Sequence, residues 1–82
     1  MDREYITSIV KKHIVNAIAG IDESNMDLQM SMTDYGASSL DIISVVSGAM
    51  RELKIKIPRT ELKNIKNING LIDMFVTSSA VE

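Results

Sequence analysis

Apolar residues recur at steps of three and four positions in three separate segments of this chain, around residues 6–21, 40–53 and 68–76. Such spacing places the apolar side chains on one face of an α-helix, which must pack against another element to leave water. With 82 residues the chain can build one small hydrophobic core but not two. The sequence therefore predicts a single all-α domain over residues 1–82.

Residues at the segment boundaries indicate four helices, three longer and one short. The predicted segments are residues 3–19, 39–53, 58–62 and 68–76. Asp2 and Asn67 have side chains that can cap the first and last of them, and Pro58 suits the start of the short one. We expect a small four-helix bundle with a long first loop, and residues 77–82 should fray.

The segment from residue 21 to residue 37 has no sustained helical period and is rich in Asp, Ser, Asn and Met. Connections of this length are uncommon in compact domains and are often functional or anchored by their own side chains. Alternating apolar residues would suit a strand, but one isolated strand has no partner here. We expect a loop that packs its methionines onto the bundle, and a methionine-lined ligand site is the alternative.

The composition excludes several classes of function. No cysteine is present, which removes disulfides, thiolate metal sites and cysteine nucleophiles, and suits a reducing cytoplasm. Only two tyrosines and one phenylalanine are available, which argues against nucleic-acid stacking. No apolar run approaches the roughly 20 residues of a membrane span. His13 lacks a second metal ligand at a suitable spacing, so we expect it to be a surface or boundary residue. For the protein as a whole we expect a cytoplasmic monomer.

Charge is distributed unevenly along the chain. Residues 1–50 contain seven acidic residues and three basic ones, whereas residues 51–66 contain six basic residues and two acidic ones. Two interpretations are open: the later segment is an ordinary solvated face, or it is a basic docking patch beside the second helix.

Ser38 is followed three residues later by Asp41, which matches the capping-box pattern at a helix start. The pattern makes Ser38 the cap and Ser39 the first helical residue. If Ser39 were the cap, the reciprocal position would be Ile42, which has no acceptor. The Ser39 hydroxyl is then left free where unpaired N–H groups and the helix dipole favour a phosphate group. An ordinary loop-to-helix junction is the alternative.

The hexapeptide Gly36-Ala37-Ser38-Ser39-Leu40-Asp41 resembles the attachment motif of acyl carrier proteins, Gly-x-Asp-Ser-Leu. The Ile57-Pro58 segment and the closing helix also align in spacing, so the resemblance covers nearly the whole chain. It implies that Ser39 carries 4′-phosphopantetheine, which a phosphopantetheinyl transferase installs from coenzyme A. Acyl groups would be held on this arm as thioesters, and the chain itself would need neither catalytic residues nor a metal.

The resemblance also implies contacts between the second helix and biosynthetic enzymes. The residues expected to contact them are Ser38, Leu40, Asp41, Ser44, Ser47, Met50, Arg51, Ile57 and Arg59. The expected partners are a ketosynthase, an acyltransferase or an enzyme like hydroxymethylglutaryl-CoA synthase. The residues that would either line an apolar seam for the acyl chain or simply form core are Ile43, Val46, Met50, Leu62 and Ile72.

Two departures from the family pattern distinguish this chain from the usual carriers of fatty-acid synthesis. Ser38 replaces the aspartate of the motif. The positions where fatty-acid carriers have several acidic residues are here Ser44, Ser47, Met50 and Arg51. Residues 57–62 and 66–68 are instead similar to freestanding carriers of polyketide pathways, most of all to donor carriers of β-branching cassettes. The alternatives are a peptidyl carrier of nonribosomal synthesis, or an unmodified helical module that binds a partner through residues 51–66.

Overall fold

A computed structural model describes residues 2–79, apart from the side chain of Arg59, and these residues contain three α-helices and no β-strand. The helices are α1 (Arg3–Ala17), α2 (Ser39–Leu53) and α3 (Ile68–Ser79). Three 3-10 helices lie in the connections, at Glu23–Asn25, Thr33–Tyr35 and Arg59–Asn64. The all-α prediction is confirmed. The count of four helices is not, because the segment after Pro58 forms a 3-10 helix instead of a fourth α-helix.

The first helix begins where its cap predicts. The Asp2 carboxylate accepts a hydrogen bond from the backbone N–H of Glu4 at 3.4 Å. The apolar stripe is buried as expected, at Ile6, Ile9, Val10 and Ile14. The helix ends at Ala17, short of the predicted residue 19, because Ile18 is extended and inserts its side chain into the core. Gly20 then reverses the chain at φ 84°, a conformation that glycine adopts without steric cost.

The helix that packs against both of the others is α1. Its backbone comes within 8 Å of α2 and of α3, whereas α2 and α3 do not approach each other this closely within residues 2–79. The wide apolar surface of α2 predicts a central position for that helix, and this prediction is wrong. Part of the surface faces solvent at Leu40 and Ile43, and part packs under the segment that follows α2, at Ile42 and Met50.

The first loop is anchored to the bundle, as predicted. Met26 and Met32 are buried, at 8% and 4% exposure, while Met30 is 37% exposed. The loop also supplies hydrogen-bond acceptors to the start of α3. The carbonyls of Leu28 and Met30 accept from the first two N–H groups of that helix, at 2.9 and 3.0 Å. Asn67 adds the predicted cap by accepting from the N–H of Gly70 at 2.7 Å. The loop is therefore part of the structural frame.

The segment after α2 alternates between core and solvent. Ile55 and Ile57 are buried, and Lys54 and Lys56 are exposed. Lys54 ends the helix in the left-handed conformation, at φ 58°. The N–H groups of Ile55 and Ile57 then donate to the carbonyl and the sulfur of Met50, both at 3.2 Å. These bonds turn the chain back along α2.

The last helix includes residues 77–79 of the segment predicted to fray, and the Ser79 hydroxyl donates to the carbonyl of Val76 at 2.8 Å. Residues 80–82, the remainder of that segment, lie outside the described residues. Of the helices formed by residues 2–79, none has both the length and the apolar character needed to cross a membrane.

Candidate functional site

The start of α2 is built by the predicted capping box. The Ser38 hydroxyl accepts from the N–H of Asp41 at 3.2 Å, and the Asp41 carboxylate accepts from the N–H of Ser38 at 2.9 Å. The Ser38 carbonyl accepts from the N–H of Ile42 at 3.0 Å. The hydroxyl, N–H and carbonyl of Ser38 are therefore all committed to the helix start, and the spacing from Ser38 to Asp41 predicts the first two of these bonds.

Ser39 is the first residue of α2, and its side chain is exposed. Its hydroxyl makes no hydrogen bond to any residue that the structure describes. The backbone N–H groups of Ser39 and Leu40 are likewise unpaired within residues 2–79, because the box satisfies the N–H groups of Ser38 and Asp41, and the first backbone bond inside the helix is donated by Ile42. Free N–H groups and the positive end of the helix dipole stabilise an anion at this position. A phosphodiester on the Ser39 hydroxyl therefore fits the residues that surround it.

The chain before α2 holds Ser39 at the surface. Gly36 adopts φ 91° and ends the 3-10 helix Thr33–Tyr35. Ala37 is buried at 8% exposure, and its N–H donates to the Met32 carbonyl at 3.1 Å. Because Ala37 is anchored in the core, the two serines that follow it emerge at the start of the helix with little freedom in their position.

One face of α2 is open to solvent and continues directly from Ser39. It holds Leu40, Ile43, Ser47 and Arg51, which share a side of the helix at steps of three and four. Leu40 is 76% exposed and Ile43 is 41% exposed. Single exposed apolar side chains are common on proteins, but here two lie side by side within one turn of Ser39.

The residues predicted to contact partner enzymes occupy different environments. Exposed residues are Leu40, Ser44 and Arg51, and half-buried ones are Ser47 and Met50. Ser38 and Asp41 form the capping box. Ile57 is only 5% exposed, so its side chain belongs to the core and is not available to a partner. The side chain of Arg59 lies outside the described part of the chain.

A small cavity of about 80 Å³ opens between α2, the first loop and the segment before α3. Its lining residues are Ser31, Met32, Thr33, Ile42, Leu62, Ile65, Lys66 and Asn67. Of the five residues predicted to line a seam or form core, Leu62 lines this cavity, while Val46 and Ile72 are fully buried core. Ile42 also lines the cavity and is not among the residues predicted from the sequence. Its position one helical turn after Ser39 could have indicated it.

On the opposite side, α2 meets α1 through a carboxylate that bridges two basic side chains. Glu52 lies 2.7 Å from Lys12 Nζ and 2.9 Å from His13 Nε2. Hydrogen bonds from Lys12 and His13 hold the pKa of Glu52 below its ordinary value. His13 is half-buried, as expected for a boundary residue. Within residues 2–79, no three side chains of the His, Cys, Asp and Glu types come together as metal ligands.

Comparisons with known proteins show what this chain is similar to. The family model described as the phosphopantetheine attachment site matches residues 12–75 of the chain. The polyketide biosynthesis acyl-carrier-protein AcpK of Bacillus subtilis (strain 168) is 27% identical over 74 residues, which cover 90% of each chain. An acyl carrier protein of Acidothermus cellulolyticus is 30% identical over 77 residues, covering 93% of this chain and 89% of that one. An acyl carrier protein of Myxococcus xanthus is 31% identical over 61 residues, covering 73% and 77%.

Proposed function

This chain belongs to the phosphopantetheine-binding family of acyl carrier proteins, and from that premise we propose that Ser39 is the residue to which the prosthetic group is attached. The observation that carries the proposal is the exposed Ser39 hydroxyl at a helix start whose capping role is already filled by Ser38. Proteins of this family carry intermediates for enzymes and are not themselves catalysts.

4′-Phosphopantetheine supplies a flexible arm that ends in a thiol, on which acyl groups are held as thioesters. The chain contributes the attachment atom. During transfer from coenzyme A, the Ser39 oxygen bonds to the phosphorus next to pantetheine and loses its proton to a base of the transferase. The bond from that phosphorus to the adenosine side breaks, and adenosine 3′,5′-bisphosphate leaves. The N–H groups of Ser39 and Leu40 and the helix dipole then stabilise the phosphodiester.

The cargo that we propose consists of acyl intermediates of polyketide synthesis. Support comes from the name of the Bacillus subtilis relative and from the departures of α2 from fatty-acid carriers at Ser44, Ser47 and Arg51. The partners that we propose are a phosphopantetheinyl transferase and a ketosynthase, an acyltransferase or an enzyme like hydroxymethylglutaryl-CoA synthase. They would contact the open face of α2 around Leu40, and Ile57 is left out of this surface because it is buried.

Intact-mass measurement tests the attachment residue. Apo-protein incubated with coenzyme A and a broad-range phosphopantetheinyl transferase should gain the mass of one phosphopantetheinyl group, and fragmentation should place that mass on Ser39. The Ser39→Ala variant should gain nothing. Ser24→Ala is the matched control, because Ser24 is an exposed serine outside the predicted partner surface, and it should be modified like the wild type.

A gain of mass that survives Ser39→Ala would show that a different residue is modified. The absence of any gain in the wild type would favour the unmodified interaction module. For the cargo, the intact mass of the protein purified from its native host should show an acyl group on the arm, and an aminoacyl group there would contradict the polyketide proposal.

A further inference from the structure

We propose that the enzymes that exchange acyl groups with this carrier have an acidic rim around the active-site entrance, which pairs with exposed cations beside the attachment site. The five cations, here called the cationic edge, are Arg51, Lys54, Lys56, Lys63 and Lys66. The inference rests on attachment of the arm at Ser39 and adds the chemistry of the partner surface.

The fold gathers these cations along one flank of α2. At one end, the N–H of Ile57 donates to the sulfur of Met50, near the C-terminus of the helix. At the other end, Lys66 lines a cavity together with Ile42, in the first turn of the same helix. The segment 54–66 therefore runs back along α2, from its end to its beginning. Arg51 lies on the open helix face itself, Lys66 lies beside the first turn of α2, and the exposed Lys54, Lys56 and Lys63 belong to the segment between them.

The positive charge of this edge is not offset by ion pairs among the described residues. None of its five cations forms a salt bridge within the described part of the chain, where the ion pairs involve Arg3, Lys12 and His13. Of the two acidic residues in the same stretch, Glu52 is already bound by Lys12 and His13 on the side of α2 that faces α1. That leaves Glu61, which is exposed, as the one acidic residue among the cations.

Beside the cationic edge lies an apolar centre. Leu40 and Ile43 are 76% and 41% exposed and sit on the open face next to Ser39. Protein interfaces combine a desolvated apolar centre with a polar and charged rim, and this surface has both parts. The only acidic residues of α2 are Asp41, which caps the helix, and Glu52, which is paired with α1. Charge complementarity therefore favours a partner with carboxylates, not one with lysines and arginines.

Covalent capture tests the sign of the charge around the partner's active-site entrance. The arm is installed from a coenzyme A analogue that ends in a chloroacetamide, so that the active-site cysteine of a ketosynthase forms an S–C bond and chloride leaves. Two purified ketosynthases serve as probes, one with carboxylates around its entrance and one with lysines and arginines. The wild-type carrier should react at least about tenfold faster with the acidic probe at low salt, and the advantage should shrink as salt rises.

Two charge reversals distinguish an effect of the cationic edge on the capture rate from an effect of net charge. Lys66→Glu and Lys11→Glu change the net charge equally, but Lys11 lies on α1 near Thr7 and Glu23, away from the open face of α2. We expect Lys66→Glu to slow capture by the acidic probe several-fold and Lys11→Glu to leave it unchanged, with circular dichroism showing that both variants are folded.

Failure of this inference and failure of the proposed function give different results. Equal capture rates with the two probes, or equal effects of the two reversals, would overturn the acidic-partner inference while the proposed function stands. If the arm cannot be attached at Ser39, the mass spectrum shows it directly, and the proposed function falls together with this inference.

Discussion

Ser38 and Ser39 are adjacent residues with the same side chain, yet the helix start uses their hydroxyls differently. Ser38 Oγ accepts from the N–H of Asp41 at 3.2 Å, whereas Ser39 Oγ is exposed and has no partner among residues 2–79. A cap side chain can reach forward to the N–H of the third helical residue, but the first helical residue already has helical backbone angles and directs its side chain outward. A single step along the chain thus separates a capping serine from an exposed one.

Alanine substitutions should separate the two serines by stability. Ser38→Ala removes the capping bond and should lower the free energy of unfolding by about 1 kcal/mol, the usual cost of losing a cap. Ser39→Ala removes no bond to the described residues and should stay within about 0.5 kcal/mol of the wild type. Urea denaturation followed by circular dichroism measures both, and equal losses in the two variants would contradict the division of roles.

At the scale of elements, α1 and α2 are fitted to each other around His13. A Cβ atom added to Gly48 would lie 2.6 Å from Nδ1 and 2.8 Å from Cε1 of His13. Glycine inside a helix costs about 1 kcal/mol relative to alanine. The close approach of the imidazole ring explains why glycine stands at this position in spite of that cost. Glu52 then holds the same ring and Lys12 from one turn further along α2.

The Glu52 bridge should make stability depend on pH. The pKa of Glu52 is lowered from its ordinary value of 4.5, first by the hydrogen bond from Lys12 and then by that from His13. For a carboxylate with a lowered pKa in the folded state, the stabilisation is complete above the unfolded value and is lost as pH falls through the folded one. We expect the melting temperature of the wild type to fall below about pH 4.5 more steeply than that of Glu52→Gln.

Thermal unfolding at a series of pH values measures the difference. Above pH 5, protonation of Glu52 should no longer change the difference in melting temperature between wild type and Glu52→Gln. In acid this difference should narrow as the carboxylate takes up a proton. Two parallel melting curves down to pH 3 would show that the bridge contributes nothing to folding.

At the scale of the whole molecule, the first loop closes the fold. Its carbonyls at Leu28 and Met30 accept from the first two N–H groups of α3, so residues far apart in the chain satisfy each other's backbone groups. Met26 and Met32 belong to the same buried apolar cluster as residues of α1 and α2. The same loop supplies Ala37, the buried anchor next to the two serines. The position of Ser39, the proposed attachment residue, therefore depends on the packing of the loop.

Two methionine substitutions test whether the loop is part of the core. Met32→Ala, at a position 4% exposed, should lower the free energy of unfolding by about 2–5 kcal/mol, as in a buried core. Met30→Ala is the matched control, since Met30 is 37% exposed, and it should cost within about 0.5 kcal/mol. Denaturant unfolding compares them, and a neutral Met32→Ala would show that the loop is not needed for folding.

The sequence by itself determined what depends on neighbours a few positions apart. The three longer helices, the caps at Asp2, Ser38 and Asn67, and the free hydroxyl of Ser39 all follow from contacts within about four residues of the chain, which are legible as spacing. The tertiary structure alone decided the rest. The central place of α1, the burial of Ile57, the cavity beside Ile42 and the row of cations along α2 arise from contacts between distant segments. No local pattern encodes those contacts, because they depend on which surfaces meet when the whole chain packs.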